Sequence, residues 1–229
     1  MKKQKQKNRA LQDKLVLGIT GSFGSGKSTV AKMFGRHGAV IIDADKICHQ
    51  LLEPGKKVYL KVIKAFGVDK LGSDKKIDRA KLSREVFKEK SKIFRLNKIV
   101  HPEAARIIKK KIAKCQKGLI VLDAPLLIEA GLDKIVDGVI AVNIKRKKQL
   151  ARLIRKVELS KKDILKRISR QMPLKEKVRL ADFIIDNNGS IKNTRKQVEL
   201  IMLQLCSGFF LKHAERAKRV EGGVKLWRN

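Results

Sequence analysis

The chain has 229 residues and a mass of 25.9 kDa, which fits one domain with an insertion or two small domains. Lys and Arg number 56 against 22 Asp and Glu, so the formal charge is +34 and anionic partners are favoured. Hydrophobic residues still make up 43% and occur in compact runs, which excludes a disordered polycation. No apolar run approaches the roughly 20 residues of a membrane helix, so no membrane span is predicted.

The cysteines and the N-terminal segment indicate a compartment. Three widely spaced cysteines without a CxxC pair are typical of reduced thiols in a cytoplasmic protein. The lysine-rich segment 1–14 is not followed by the apolar core of a signal peptide. We therefore predict a cytoplasmic protein with a basic N-terminal arm.

Five short apolar runs alternate with longer segments of helical spacing. The runs are Leu15–Thr20, Ala39–Asp43, Leu119–Asp123, Gly138–Ile144 and Phe183–Asp186. Each is apolar nearly throughout, as strands buried on both faces are. This alternation predicts an α/β fold, in which a five-stranded parallel sheet carries helices on both faces.

The intervals between these runs predict the remaining organisation of the chain. The gap between the second and third runs is too long for one crossover and predicts an inserted helical subdomain at 51–117. Its helix-spaced apolar positions are Leu82, Val86, Ile93, Leu96 and Val100. The cation-rich interval 145–180 predicts a solvent-facing helical pair that serves as a lid. A helix at 191–205 should pack on the sheet and end the core at 205, before a polar C-terminal tail at 206–229.

The strongest motif is GSFGSGKST at residues 21–29, a match to GxxxxGK[ST] between a predicted strand and a predicted helix. Its glycines allow backbone N–H groups to turn inward around a phosphate, at the positive end of the helix dipole. Lys27 adds a full charge, and the Ser28 hydroxyl is a ligand for Mg²⁺. The alternative is a glycine-rich turn without a ligand, but the strand, the helix and the lysine all favour a nucleotide-binding P-loop.

Four carboxylates follow predicted strands, whose carboxyl ends meet at one crevice. Asp43 and Asp45 could accept the proton of an acceptor hydroxyl, orient that hydroxyl or hold Mg²⁺ through water, and either could instead cap the helix that follows. Direct catalysis is favoured for Asp45, whereas for Asp43 a structural or supporting role is equally consistent. Asp123 closes the third run in the manner of a Walker B acid and is a candidate Mg²⁺ ligand. Glu129 either lies at the mouth of this crevice or begins a helix.

Two further groups are candidates for substrate binding. His101 precedes Pro102 at the predicted start of the subdomain's last helix, where it either caps and packs or lines an acceptor pocket. Arg152 and Arg155, three residues apart, share a helix face and can reach one triphosphate. A segment this cationic is also typical of a solvated face.

Together these motifs resemble the dephospho-CoA kinases, P-loop enzymes of the nucleoside-monophosphate-kinase type. The similar segments are GITGSFGSGKSTVA at 18–31, IIDAD at 41–45, IDRAKLSREVF at 77–87, the His101-Pro102 pair, VLDAPLLIEAGL at 121–132, RQMP at 170–173 and ADFIIDNNG at 181–189. They cover about residues 15–205 in the family's order. Many kinases share the P-loop, but the combination is specific.

The resemblance implies ATP-dependent phosphorylation of the ribose 3′-hydroxyl of dephospho-CoA, the last step of coenzyme A synthesis. It implies that Asp45 is the base, that Arg152 or Arg155 contacts the transferring phosphoryl, and that the ATP phosphates lie on Gly24, Ser25, Gly26, Lys27, Ser28 and Thr29. By the same resemblance, adenine lies near Asn187, Asn188 and Gly189. Acceptor binding falls to Asp43, Arg79, His101, Pro125 and Glu129, and Mg²⁺ binding to Ser28 and Asp123.

Two features depart from the family's pattern. The lid has Arg155-Lys156 where the family often shows Arg followed by Asp, which leaves open which lid arginine is the equivalent one. The charge of +34 exceeds expectation, and two accounts of it are equally good: a crevice that concentrates polyanionic substrates, or a lysine-biased composition without functional meaning. The alternative functions are a P-loop kinase for another small hydroxyl acceptor and a nucleic-acid-associated P-loop ATPase. An aromatic content of 4% without a stacking pattern argues against nucleic acid. No sequence feature fixes the oligomeric state.

Overall fold

A computed structural model describes residues 14–67, 69, 72, 74–86, 89–157 and 159–206. Five strands form one sheet: β1 (Lys14–Thr20), β2 (Val40–Asp43), β3 (Gly118–Asp123), β4 (Gly138–Asn143) and β5 (Phe183–Asp186). Their order is β2-β3-β1-β4-β5, and β1 pairs in parallel with both β3 and β4. The predicted strands and the α/β fold class are confirmed, with strand bounds within one residue of the prediction.

The helices of the described residues connect these strands. They are α1 (Lys27–Arg36), α2 (Ala44–Leu51), α3 (Lys57–Phe66), α4 (Arg79–Val86), α5 (Lys90–Lys114), α6 (Arg146–Lys156), α7 (Lys161–Ser169), α8 (Leu174–Leu180) and α9 (Ile191–Cys206). A short 3₁₀ helix spans Leu132–Ile135.

The central strand β1 is covered on both faces, which explains its continuous apolar sequence. Leu17 and Ile19 belong to a core that includes Phe34 of α1 and Val198 of α9. On the other face, Leu127 lies so close to Gly18 that a Cβ there would meet its side chain. Burying both faces of β1 fixes the strand that leads into the motif at 21–29.

Two aspartates link the amino ends of neighbouring strands in the same way. Asp137, just before β4, accepts the Val16 N–H through Oδ2 at 2.8 Å, and its own N–H donates to the Val16 carbonyl at 2.7 Å. Asp182, just before β5, does the same to Val139, with both distances at 2.8 Å. Each aspartate therefore holds the adjoining strand at two points.

The chain divides into two compact units, one of residues 43–113 and one of the remainder. The smaller unit contains α2 to α5, and three of its predicted core residues, Leu82, Val86 and Val100, are buried, whereas Ile93 and Leu96 are half-buried. The subdomain bounds of 51–117 stay a prediction.

The expected start of a helix at His101-Pro102 is wrong. Pro102 lies inside the 25-residue α5, with more than two turns of helix before it. Proline lacks the N–H that would bond four residues back, so its place inside a helix has a cost. Burial of Val100, Ala104 and Ile108 along the same helix offsets that cost.

The cation-rich interval 145–180 forms three helices, α6, α7 and α8, instead of the expected pair. Each buries part of one face, through Leu153 of α6, Ile164 of α7 and Lys177 of α8. Pro173, which occupies the N-cap position of α8, separates this third helix from α7. The role of the interval as a lid stays a prediction.

Within the described ranges, no helix combines the length and apolarity needed to cross a membrane. The predicted N-terminal arm, apart from Lys14, and the C-terminal tail, apart from Cys206, lie outside the described residues.

Candidate active site

The P-loop motif forms a tight turn between β1 and α1. Gly24 and Gly26 adopt φ values of +75° and +97°, a left-handed region that side chains disfavour. A Cβ at Gly24 would collide with Leu153, and one at Gly26 would collide with Asn187 Nδ2. Both glycines are thus required by backbone conformation and by close packing.

The loop places positive groups at the start of α1. Lys27 is the first residue of α1 and is buried, and its Nζ donates to the Ser22 carbonyl at 3.2 Å. Ser28 and Thr29 follow in the first turn and are exposed. The first turn of a helix offers N–H groups to an anion, so this arrangement suits a phosphate.

Asn187, predicted to lie near adenine, is hydrogen-bonded to the backbone of the loop. It is 8% exposed; its Nδ2 donates to the Ser25 carbonyl at 2.7 Å, and its Oδ1 accepts from Thr194 Oγ1 at 2.9 Å. Asn188 accepts from the Lys145 N–H at 2.7 Å. These contacts tie the segment after β5 to the loop and to the start of α6, and adenine binding by Asn187, Asn188 and Gly189 stays a prediction.

Two glutamines to which the sequence analysis gave no role also bond the loop. Gln149, 2% exposed on α6, donates through Nε2 to the Phe23 carbonyl at 2.6 Å and to Ser22 Oγ at 2.9 Å. Gln171 accepts the Phe23 N–H through Oε1 at 2.7 Å. The available signals were the place of Gln171 in the family-like segment 170–173 and the position of Gln149 four residues before Leu153, on the inward face of the helix.

Asp123, the predicted metal ligand, lies at the carboxyl end of β3 and is 5% exposed. It stands in register with Ile19 of β1, beside the point where the chain enters the phosphate loop. No group of three or more His, Cys, Asp or Glu side chains that suits a metal occurs among the described residues. Mg²⁺ in phosphoryl-transfer sites uses few protein ligands besides phosphate and water, so Ser28 and Asp123 offer a donor set of the right chemistry.

Glu129 and Pro125, predicted to bind the acceptor, take part in an internal network. Lys177, whose side chain is fully buried, lies 2.8 Å from Glu129 Oε1 and donates to the Pro125 carbonyl at 2.6 Å. Glu129 also accepts the Met172 N–H at 2.9 Å. Burial lowers the pKa of Lys177, and the Glu129 carboxylate opposes that shift.

Glu129 begins no helix; it lies in a turn that precedes the 3₁₀ segment. The sequence analysis missed Lys177, because a lysine in a cationic segment gives no sign of burial. Acceptor binding by Pro125 and Glu129 stays a prediction.

The predicted acceptor residues of the smaller unit fall on α2, α4 and α5. Asp43 caps α2, because its Oδ1 accepts the Lys46 N–H at 2.8 Å, which confirms the capping interpretation. Asp45 is exposed in the first turn of α2, and Arg79 begins α4. Burial, with the Asp45 and Asp43 charges, raises the pKa of the Cys48 thiol to about 11.

His101 is half-buried within α5, and this burial lowers the pKa of its imidazole. A neutral imidazole can accept or donate a hydrogen bond without a net charge. Its role toward an acceptor stays a prediction.

Arg152 and Arg155 are both exposed on α6, the helix that also carries Gln149. The buried residues of α6, Gln149 and Leu153, lie on its inward face. The two arginines are therefore accessible to a ligand, and their contact with a phosphoryl group stays a prediction.

Comparison with known proteins decides the family. A family model described as dephospho-CoA kinase matches residues 15–193. The chain belongs to the dephospho-CoA kinase family. A dephospho-CoA kinase of Carboxydothermus hydrogenoformans is 46% identical over 190 residues, covering 82% of this chain and 92% of that protein. One of Bacillus cereus is 41% identical over 191 residues, covering 82% of this chain and 96% of that protein.

Solved structures agree with this family assignment. A dephospho-CoA kinase from Campylobacter jejuni superimposes with a TM-score of 0.62 at 29% identity, over 85% of this chain and 98% of that one. TT1252 from Thermus thermophilus gives a TM-score of 0.72 at 28% identity, over 85% of this chain and 99% of that one. The resemblance noted in the sequence motifs is thus confirmed.

Proposed function

We propose that this chain transfers the γ-phosphoryl group of ATP to the ribose 3′-hydroxyl of dephospho-CoA, giving ADP and coenzyme A. The observation that carries the proposal is the phosphate loop at 21–29, with Gly24 and Gly26 in left-handed conformations, in a chain of the dephospho-CoA kinase family. A P-loop of this form binds nucleoside triphosphates, and membership of the family indicates dephospho-CoA as the acceptor.

The ATP half of the reaction rests on the P-loop. Backbone N–H groups of residues 24–29 and the Lys27 ammonium surround the β- and γ-phosphates and neutralise their charge. Ser28 and Asp123 would hold Mg²⁺, which would supply positive charge to neutralise the phosphate oxygens. Asn187 stabilises the loop conformation through its hydrogen bond to the Ser25 carbonyl. Positioning of this kind is the main contribution of a protein to phosphoryl transfer.

The acceptor half rests on Asp45. Its carboxylate takes the proton of the 3′-hydroxyl as that oxygen bonds to the γ-phosphorus, while the bond from the γ-phosphorus to the bridging oxygen breaks and ADP leaves. Either Arg152 or Arg155 stabilises the charge on the transferring group. Asp43, Arg79 and His101 belong to the acceptor side, together with Pro125 and Glu129.

The large positive charge of the chain favours the binding of two polyanionic substrates. A field of one sign over a crevice raises the local concentration of ATP and dephospho-CoA, and this effect falls with ionic strength. The cytoplasmic location inferred from the cysteine pattern agrees with such substrates and stays a prediction.

Mass spectrometry of the product tests the proposal. The protein is incubated with ATP, Mg²⁺ and dephospho-CoA, and we expect a product heavier by one phosphoryl group together with ADP. Adenosine and shikimate serve as control acceptors and should give no phosphorylated product. Equal turnover of all three acceptors, or no transfer to dephospho-CoA, would refute the acceptor assignment.

A further inference from the structure

One peptide plane of the phosphate loop, between Ser22 and Phe23, is held from both of its polar ends. Its carbonyl oxygen, on Ser22, accepts from Lys27 Nζ at 3.2 Å and from the Ser25 N–H at 3.0 Å. Its N–H, on Phe23, donates to Gln171 Oε1 at 2.7 Å. Rotation of this plane would break contacts at both ends at once.

We propose that Gln171 is a positioning residue for ATP binding, which acts by fixing the Ser22–Phe23 peptide and through it the Lys27 ammonium. This proposal rests on the proposed function, because Lys27 is the cation that meets the nucleotide phosphates. Gln171 touches neither the nucleotide nor the acceptor in this account. Its effect passes through the backbone of the loop.

The contacts around Phe23 support this role. Its N–H donates to Gln171 Oε1, and its carbonyl accepts from Gln149 Nε2 at 2.6 Å. The centre of its ring lies 5.7 Å from the Arg167 guanidinium carbon. All three partners come from the cation-rich interval 145–180, which the sequence analysis interpreted as a solvated lid. Three side chains of that interval therefore contact Phe23 of the phosphate loop.

Of the two glutamines, Gln171 is the better site for a substitution that removes a single hydrogen bond to this peptide. Gln149 bonds both Ser22 Oγ and the Phe23 carbonyl and is almost fully buried, so its replacement disturbs packing as well as the loop. Gln171 is half-buried beside a cavity of about 280 Å³ that also borders Ser22 and Gln149. The cavity gives a methionine side chain room at position 171.

The test is calorimetric measurement of the ATP dissociation constant in the full chain. Gln171→Met removes the acceptor and keeps the shape, so we expect affinity to fall roughly two- to twelvefold, the loss of one neutral hydrogen bond. Gln171→Glu replaces the amide oxygen by a carboxylate oxygen that can still accept the Phe23 N–H. At high salt concentration, where repulsion between the new charge and the ATP phosphates is screened, it should recover at least half of that loss on a logarithmic scale. Thermal unfolding of each variant checks that the chain is folded.

Tyr59→Phe is the control variant. The Tyr59 hydroxyl donates to the Lys75 carbonyl at 2.6 Å, so this change also removes one side-chain hydrogen bond to the backbone, but both residues belong to the unit of residues 43–113 and not to the phosphate loop. A purely structural effect would lower the unfolding temperature of both variants and leave both ATP affinities unchanged. A loss of affinity confined to the Gln171 variant supports the positioning role.

A double-mutant cycle separates action through Lys27 from other causes. In a Lys27→Met background, the additional Gln171→Met change should weaken ATP binding less than twofold. Wild-type affinity in Gln171→Met, equal weakening by Gln171→Met and Gln171→Glu at high salt concentration, or an undiminished effect in the Lys27→Met background would each overturn the proposal. Because ATP binding is measured without acceptor, failure of transfer to dephospho-CoA would refute the proposed function and leave this test valid.

Discussion

The buried ammonium of Lys177 offers a stringent test of how the segment after β3 is held. Its acceptors are Glu129 Oε1 at 2.8 Å, the Pro125 carbonyl at 2.6 Å and Thr20 Oγ1 at 3.4 Å. Lys177→Met keeps an unbranched side chain and removes the charge. The Glu129 carboxylate then loses its counterion while the chain around it is unchanged.

The expected cost follows from the environment of Glu129. Removing one partner of a buried ion pair costs about 3–5 kcal/mol. The Glu129 side chain is 21% exposed and keeps the Met172 N–H, so water and that hydrogen bond compensate part of the lost charge. We therefore expect the free energy of unfolding to fall by about 2–3 kcal/mol, equivalent to about 4–12 °C in the midpoint temperature for a chain of this size.

Urea unfolding and differential scanning calorimetry measure this loss, with the double variant Lys177→Met/Glu129→Gln as the control. The second change removes the stranded charge, so the double variant should recover at least half of the lost stability. A single variant as stable as the wild type, or a double variant less stable than the single one, would contradict the buried-pair account.

Three other variants test separate parts of the site. Asp45→Asn should lower kcat by roughly 10²- to 10⁴-fold while ATP affinity stays unchanged; a near-wild-type rate would exclude Asp45 as the base. Gly26→Ala should abolish ATP binding measured by calorimetry, because its φ of +97° and the adjacent Asn187 leave no place for a Cβ, and unchanged affinity would contradict this packing. His101 has its pKa lowered by burial from 6.5, so the unfolded chain binds its proton more readily, and stability is lost as pH falls below about 6.5. His101→Gln should flatten the decline in urea-unfolding free energy between about pH 7.5 and 5.5, and identical slopes in both proteins would refute the assignment.

Much of the fold could be predicted because its determinants are local. Continuous apolar runs indicate strands buried on both faces, and all five strands were found in this way. The glycines of the P-loop are specified by backbone conformation, and the cap formed by Asp43 depends on a residue only three positions away. Such features need no knowledge of distant contacts.

The missed features depend on partners far apart in the chain. Gln171 reaches Phe23 across 148 positions, and Lys177 reaches Pro125 across 52. In a segment dominated by lysine and arginine, a buried polar side chain has the same sequence signature as an exposed one. The helix start predicted at Pro102 was wrong because proline by itself favours the first turn of a helix, whereas burial of side chains along α5 stabilises a helix that continues through it.

The paired contacts of Asp137 and Asp182 have a consequence at the opposite edge of the sheet. Displacing β5 by one residue along β4 would shift it about 3.3 Å and turn its inward side chains outward. The Asn187 amide, which directly follows β5, would then lose its 2.7 Å contact with the Ser25 carbonyl. Asp137 and Asp182, at the amino ends of the strands, thus hold the strand register on which the contact between Asn187 and the phosphate loop depends.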